Sequence, residues 1–420
     1  MNYNVENLPI AIIGAGPIGL SAAVNLLDAG LTPIVFESGD CAGSNIAKWG
    51  HVRMFSPWSY NMDPKAVSLL KKKGWVEPVS TEFPTGSELL ERYILPLASH
   101  EKIAPHLHLN TRVNNVSRQY HDILRNNGRE STPFVIRVSD VEGERDILVQ
   151  AVIDASGTYQ TPNWLGAHGI PAIGELTASQ SISYGVPDIL GASNKQYAGK
   201  SVLVIGGGHS AFNALQDLVK LSEQTDGMHI LWGIRGSSVD NIVRSPKNDE
   251  LQERRSLEVH IQTLLEEGKI EVFTDIAIEK INCENGKLIV NSHSYQLPPV
   301  DQIIAATGFR PDLQLLSELR TSIDPATQSP VQLGPLIDPN LHSCGSVPEH
   351  GSAELSHPEI GLYIAGIKSY GRAPTFLLRT GYKQIKSITS ALASQEYKDF
   401  AVINSSLSRN DCALNQSCLE

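Results

Sequence analysis

The stretch "IAIIGAGPIGLSAA", Ile10 to Ala23, contains an apolar run, a glycine turn and the start of a helix. The run "IAII" is typical of a strand buried on both faces. Gly14, Gly16 and Gly19 give the spacing G-x-G-x-x-G. In this spacing the glycines allow a tight turn, close backbone approach to a pyrophosphate, and close packing of helix on strand. Glu37 ends the next predicted strand, where a carboxylate can accept hydrogen bonds from an adenosine ribose, so the stretch predicts a dinucleotide site.

The same pattern recurs in "VLVIGGGHSAFNAL", Val202 to Leu215, where Gly206, Gly208 and Ala211 give G-x-G-x-x-A. The following predicted strand, "MHILWGIRG", ends in Arg235 and not in an acid. An arginine at this position can pair with a 2′-phosphate. The second site is therefore predicted to bind NADPH in preference to NADH, with a solvated surface charge as the alternative role of Arg235.

The composition limits the possible functions. A chain of 420 residues is long enough for two or three domains, and 41 % apolar with 19 % charged residues is ordinary for a globular protein. The net charge of -11 argues against a general nucleic-acid binder. No apolar run is long enough for a membrane span, and no secretory signal is recognised at the start. The five cysteines are widely spread, which suits a reducing cytoplasm.

Five motifs occur in a fixed order along the chain: "GAGPIG" with Glu37, "DASGTYQTP", "GGGHSA", "ATGFRPD" and "GLYIAGIKSYGRAPTFLLRTGY". With them the chain resembles the two-dinucleotide-binding-domain flavoproteins, which include thioredoxin reductase-like enzymes and flavin-containing monooxygenases. The resemblance implies an α/β fold of two Rossmann-like three-layer domains, with the NADPH domain inserted into a split FAD domain. The expected boundaries are 1–160 and 313–394 for FAD, 161–312 for NADPH, and 395–420 for a polar C-terminal tail.

The cofactor-binding residues follow from the two fingerprints and, by matching position, from the resemblance. "KWGHVRMF" is expected to run along the flavin, although a histidine bonded to backbone explains His51 equally well. The candidate FAD-binding residues are Gly14, Gly16, Pro17, Ile18, Gly19, Glu37, Ser38, Trp49, His51, Arg53, Val113, Ser156, Gly157, Gly366 and Ile367. The candidate NADPH-binding residues are Gly206, Gly208, His209, Ser210, Arg235, Thr307 and Gly308.

The sequence departs from each named subfamily in turn. The predicted NADPH domain holds only Cys283, so it lacks the Cys-x-x-Cys pair of thioredoxin reductase, and Cys41 stands alone near the first fingerprint. Ile18 replaces the cysteine of bacillithiol disulfide reductase-like proteins, and Ile367 replaces the aspartate of the thioredoxin reductase Gly-Asp pair. The monooxygenase signature F-x-G-x-x-x-H is also missing after Gly157. The electron acceptor is therefore left open.

Lys368, Tyr370 and Arg372 are candidate catalytic residues because "GIKSYGRAPT" lies beside the expected flavin position. A cation there would stabilise the reduced flavin anion by placing charge where charge develops. Pairing of Arg372 with a structural carboxylate is the alternative.

Cys344 is a further catalytic candidate, grouped with His342 and His350 in the loop "LHSCGSVPEHG" and followed by His357. The spacing matches no zinc pattern, so no metal site is predicted. Cys344 could be a redox thiol that exchanges with Cys412 or Cys418. A loop cysteine without a chemical role is the alternative.

The leading hypothesis is an FAD-dependent oxidoreductase that takes a hydride from NADPH and passes electrons to oxygen and a small substrate, as in monooxygenases. The first alternative is a flavin disulfide or thiol reductase acting through Cys344. The second is a non-enzymatic NADPH and FAD redox sensor. The expected partners are a small-molecule substrate or a thiol/disulfide acceptor, with no nucleic acid and no membrane. A cytoplasmic homodimer is expected from the cysteine usage and the resemblance.

Overall fold

The computed structural model describes residues 5–239, 242, 252–341, 347–394 and 397. The chain divides into two compact units. The first unit takes its described residues from Met1–Gly50, Pro57–Thr158 and Pro311–Glu420, and the second from His51–Ser56 and Tyr159–Arg310.

The first unit is built on a five-stranded parallel sheet. Its strands are β1 Ile10–Ile13, β2 Pro33–Phe36, β3 Leu107–His108, β7 Ala151–Asp154 and β15 Leu362–Ile364. They lie side by side in the order β15-β7-β1-β2-β3. Every residue of β1 and β7 is buried, as expected for strands that are covered on both faces. Since all five strands are parallel, their carboxyl ends share one edge of the sheet, where the glycine turn after β1 lies.

A second, antiparallel sheet in this unit consists of β4 Arg112–Arg118, β5 Phe134–Asp140 and β6 Gly143–Val149. In β5, Phe134, Ile136 and Val138 are buried while the residues between them are more exposed. This alternation is typical of a sheet with one face on a core. The antiparallel sheet therefore packs on the same core as the parallel sheet.

The helices of the first unit begin with α1, Pro17–Asp28, whose N-cap is Gly16. Short helices and a π-helical turn, Leu90–Ile94, then lead to the long last helix. The remaining helices are α2 Ser44–Ala47, α3 Trp58–Asn61, α4 Pro64–Lys71, α5 Gly86–Leu89, α6 Leu95–Ala98, α10 Gly334–Ile337 and α11 Leu378–Leu392. A Cβ at Gly381 of α11 would lie 2.4 Å from Ile18 Cδ1, so this glycine allows α11 to pack closely on α1.

The second unit repeats this architecture with a second five-stranded parallel sheet. Its strands are β8 Ile182–Tyr184, β9 Ser201–Ile205, β10 His229–Gly233, β11 Glu271–Phe273 and β14 Gln302–Ala305, in the order β11-β10-β9-β14-β8. In addition, β12 Ile278–Glu284 pairs with β13 Lys287–Ser292 in an antiparallel hairpin. Its helices are α7 Asn194–Tyr197, α8 His209–Ser222 and α9 Gln252–Glu266. The predicted α/β class with Rossmann-like domains is confirmed.

The structure differs from the expected domain boundaries at residues 51–56. The sequence placed this segment in the FAD domain, but it belongs to the second unit. Phe55 packs on the core around α8, and its ring centroid lies 4.9 Å from that of His209. The partly buried Phe55 side chain thus connects this segment to the core of the second unit.

Among the described residues, no helix is both long and apolar enough to cross a membrane.

Candidate functional site: two glycine turns

The first glycine turn joins β1 to α1. Gly14 has a φ of 96°, and a Cβ there would lie 2.9 Å from the carbonyl oxygen of Ala155. A Cβ at Gly19 would lie 1.9 Å from the carbonyl oxygen of Gly14, so helix and turn meet here only because residue 19 is glycine. A Cβ at Gly16 would meet no atom within 4 Å. The turn is therefore closely packed on its inner side and open at Gly16, where the free N–H groups of α1 begin.

Glu37 follows β2 and is tied to this turn. Its Oε2 accepts a hydrogen bond from the amide of Ala15 at 2.8 Å. Its Oε1 accepts from the amide of Gly39 at 2.8 Å and from Ser44 Oγ at 2.9 Å. The buried carboxylate is thereby held beside the turn, at the place where the fingerprint requires a ribose acceptor.

Ser156 and Lys368 meet at the carboxyl end of β7. Lys368 Nζ lies 2.6 Å from Asp154 Oδ2 and 3.0 Å from Ser156 Oγ. Ser156 donates to Asp154 Oδ1 from its hydroxyl at 2.7 Å and from its amide at 3.1 Å. Lys368 is thus in a buried ion pair, and a direct role at the flavin stays a prediction.

Gly366 begins the 3₁₀ helix Gly366–Tyr370 with a φ of 71°, and a Cβ there would lie 3.1 Å from Ile18 Cγ1. Its amide donates to Gln384 Oε1 at 2.9 Å. Gln384 Nε2 in turn donates to Ser369 Oγ and to His350 Nε2, each at 3.0 Å. The structure therefore brings Gly366 to the first glycine turn and fixes it by a buried amide that the sequence analysis missed.

The other candidates of the first unit lie in different environments. Tyr370 is buried against Phe376, and burial raises the pKa of its hydroxyl. Arg372 and Ser38 are exposed, and Ile367 is 44 % exposed.

Pro17 is the first residue of α1, and Gly157 has a φ of 75°. Trp49 packs against the backbone of Gly86, and Val113, a residue of β4, packs against the core of the first unit.

The second turn, in the second unit, has the same form. Gly206 has a φ of 143°, and a Cβ there would lie 2.3 Å from the carbonyl oxygen of Ala306. A Cβ at Gly208 would meet nothing within 4 Å. The indole Nε1 of Trp232 donates to the carbonyl oxygen of Gly206 at 2.8 Å. This turn is therefore also supported from inside and open at its second glycine.

His209 is the first residue of α8. Its Nε2 lies 3.1 Å from Oε1 of Glu258, a buried residue of α9. Ser210 and Arg235 are exposed, the latter just beyond the end of β10. Thr307 Oγ1 donates to the carbonyl oxygen of Asn163 at 2.6 Å, and Gly308 accepts from the Asn163 amide at 2.9 Å. Thr307 and Gly308 thus connect two segments of the second unit.

Two FAD candidates, His51 and Arg53, fall in the second unit with residues 51–56. Contact of these two side chains with the flavin stays a prediction. The Nε2 atom of His51 is buried without a hydrogen-bond partner.

The predicted redox thiol Cys344 and its predicted partners, Cys412 and Cys418, lie outside the described residues, as does His342. Of the cysteines that the structure describes, Cys283 is exposed and Cys41 is half-buried, and burial raises the pKa of the Cys41 thiol. No group of three or more His, Cys, Asp or Glu side chains within the described part of the chain is arranged to hold a metal ion.

Residues 11–333 match the family model described as pyridine nucleotide-disulphide oxidoreductase. The chain belongs to this family. It is therefore an NAD(P)H-dependent flavin oxidoreductase, and its flavin cofactor is FAD. The predicted enzyme class is confirmed, which leaves no support for a non-enzymatic sensor.

Relatives of this oxidoreductase differ in their reactions. It is 25 % identical over 323 residues to bacilliredoxin reductase Bdr of Bacillus subtilis, covering 76 % of this chain and 82 % of that protein. Bacillithiol disulfide reductase Bdr from Bacillus cereus superposes with a TM-score of 0.66 at 20 % identity, over 92 % of this chain and 99 % of that one. The FAD-bound cadaverine monooxygenase DfoA of Erwinia amylovora superposes with a TM-score of 0.62 at 15 % identity, over 95 % and 94 %. At these identities the superpositions show the fold alone.

The first turn of the oxidoreductase fits the FAD diphosphate. Gly16 leaves open space in front of the α1 amides, and Glu37 lies beside the turn as a ribose acceptor. When bound, FAD accepts a hydride and passes electrons on. If FAD binds at this turn, Gly16, Glu37, Ser156 and Gly366 would be the residues that hold it.

Proposed function

We propose that this oxidoreductase uses NADPH to reduce FAD and passes the electrons to oxygen and a small organic substrate. The observation that supports this most strongly is the pair of glycine turns, one in each unit. Each is packed tightly at its first glycine and open at its second, Gly16 or Gly208. Two such turns provide separate sites for two dinucleotides.

NADPH is the proposed donor because Arg235, and not an acid, follows β10 at the second turn. The equivalent place after β2 in the first unit holds Glu37. A guanidinium can pair with a 2′-phosphate, whereas a carboxylate there would repel it. R235A is expected to weaken NADPH binding about tenfold and to leave NADH binding unchanged, since only NADPH carries that phosphate. Arg255, an exposed residue of α9, provides the matched control R255A.

The oxygen-dependent reaction is favoured because the sequence holds no Cys-x-x-Cys pair. The alternative is a disulfide or thiol reductase that uses Cys344 with Cys412 or Cys418. We also propose that the protein is a homodimer in the cytoplasm.

One experiment separates the two reactions. The purified holoenzyme is reduced with NADPH without oxygen, and its free thiols are titrated before and after. New thiols would support the reductase and reject the oxygen-dependent proposal. If no thiols appear, air is admitted and hydrogen peroxide is measured across a panel of small amines and thioethers. A compound that speeds NADPH consumption and lowers peroxide release would support the proposal, and peroxide release that no compound lowers would contradict it.

A further inference from the structure

Lys368 and Asp154 form an ion pair that is almost completely removed from water. Lys368 Nζ lies 2.6 Å from Asp154 Oδ2, and the two side chains are 1 % and 0 % exposed. Burying two charges costs desolvation free energy that their attraction offsets only with good geometry and additional hydrogen bonds. A pair of this kind is therefore weak evidence for a role in stability, and its position in the fold is more informative.

The pair joins two segments at the first glycine turn. The ammonium also lies 3.0 Å from Ser156 Oγ, and Ser156 donates to Asp154 Oδ1 from both its amide and its hydroxyl. A Cβ at Gly14 would lie 2.9 Å from Ser156 Cα, so Ser156 lies directly against the turn. Lys368 itself is in the 3₁₀ helix that begins at Gly366.

We propose that Lys368 is a positioning residue for FAD. Its ammonium fixes residues 154–157 and 366–370 against the first turn, so that both segments present their backbone to the cofactor. This inference rests on the proposed placement of FAD at that turn. It differs from a role as a flavin-facing cation, because Asp154 compensates the charge of Lys368 within the pair.

The decisive variant is D154N/K368M. It removes both charges of the pair, it keeps an acceptor oxygen for Ser156, and a methionine fills the space of the lysine stem. We expect this variant to fold and to release FAD at least ten times more readily than the wild type. The measurement is the rise of free-FAD fluorescence on dilution of the purified holoenzyme, with circular dichroism as the test of folding. An unchanged Kd for FAD in a folded double variant would overturn the proposal.

The control is K383M. Lys383 lies on the same helix as Gln384 but pairs with Glu349 at the surface. Loss of an exposed pair should leave FAD binding unchanged.

A second readout distinguishes positioning from a direct effect on the flavin. Positioning predicts a weaker FAD affinity with an unchanged midpoint potential of the FAD that remains bound. A more negative potential at unchanged affinity would assign Lys368 to the flavin and reject the positioning role. The single variant G16A tests the placement of FAD separately: if G16A holds FAD as tightly as the wild type, FAD binds elsewhere, and the proposed site fails together with this inference.

Discussion

The indole of Trp232 donates a hydrogen bond to the carbonyl oxygen of Gly206, joining the carboxyl end of β10 to the first glycine of the second turn. Trp232 is fully buried and also packs edge-on against Phe212 of α8. One side chain therefore supports both the turn after β9 and the helix α8. A nicotinamide dinucleotide is proposed to bind at this turn.

We expect W232F to weaken NADPH binding several-fold and to leave the FAD content unchanged. The phenyl ring keeps most of the packing but leaves the Gly206 carbonyl without its donor, at a cost of about 1 kcal/mol or more. Equilibrium binding, followed by the quenching of protein fluorescence, measures the effect. Trp75 donates in the same way to the carbonyl oxygen of Arg92 in the first unit, so W75F is the matched control. Equal loss in both variants would mean that the hydrogen bond to Gly206 has no special role.

The open second glycines predict variants that fold but lose one cofactor each. A Cβ at Gly16 or Gly208 meets no protein atom, and the φ angles of -76° and -101° suit any residue. The added methyl group instead occupies the space that a diphosphate needs. We therefore expect G16A to lose FAD and G208A to lose NADPH binding while retaining FAD. Each variant is the control for the other. The FAD content of the purified protein and a titration with NADPH measure the two losses.

G19A should behave differently. Its Cβ would lie 1.9 Å from the Gly14 carbonyl oxygen, so the helix must move. We expect a thermal unfolding temperature well below that of G16A. Similar temperatures for the two variants would show that the turn adapts at little cost.

His357 predicts a loss of stability in acid. Burial lowers the pKa of this histidine to about 4, while its Nδ1 accepts from the amide of Ser322. Because the unfolded chain binds this proton more readily, stability is full above the unfolded pKa of 6.5 and falls as the pH approaches 4. The loss between pH 7 and pH 5 should be about 2 kcal/mol.

H357N keeps an acceptor for Ser322 but cannot titrate, so its free energy of unfolding should fall less over this range. Urea unfolding at both pH values provides the measurement. The exposed His229 offers H229N as control, which should follow the wild type. Parallel curves for H357N and the wild type would contradict the assignment.

Glu359 predicts a large loss of stability on truncation. Its carboxylate accepts from Arg118 Nε at 2.8 Å and from Arg129 Nη2 at 2.7 Å, and all three side chains are buried. Burial works to raise the pKa of Glu359, but the hydrogen bonds from Arg129, the Arg320 amide and Arg118 outweigh it and lower the pKa. E359A leaves two buried guanidinium groups without this partner and should cost about 3–5 kcal/mol.

Chemical denaturation of E359A measures that cost. E349A removes an exposed partner of Lys383 and should change the free energy of unfolding by less than about 1 kcal/mol. A small effect in E359A would mean that water or a shifted side chain replaces the carboxylate.

The local features of the two units were predictable from the sequence, and the long-range partners were not. The turns at Gly14 and Gly206 follow from glycine spacing after apolar runs, because each is decided by residues close in the chain. The sequence predicts Lys368 as a cation beside the flavin, but it does not indicate the partner Asp154, which is 214 residues away. The only signal was a carboxylate at the end of a fully buried strand, which needs a partner somewhere. Gln384 and Glu258 were missed because a single polar residue on a helix usually faces solvent.

Residues 51–56 have a practical consequence for recombining members of this family. The chain leaves the first unit after Gly50, contributes Phe55 to the core around α8, and returns to the first unit at Pro57. The rest of the second unit begins only at Tyr159. A second unit excised as the module 159–310 would therefore lack Phe55 and expose the core surface that Phe55 covers. A chimaera that transplants this module must bring six residues from far upstream with it, or redesign the surface they cover.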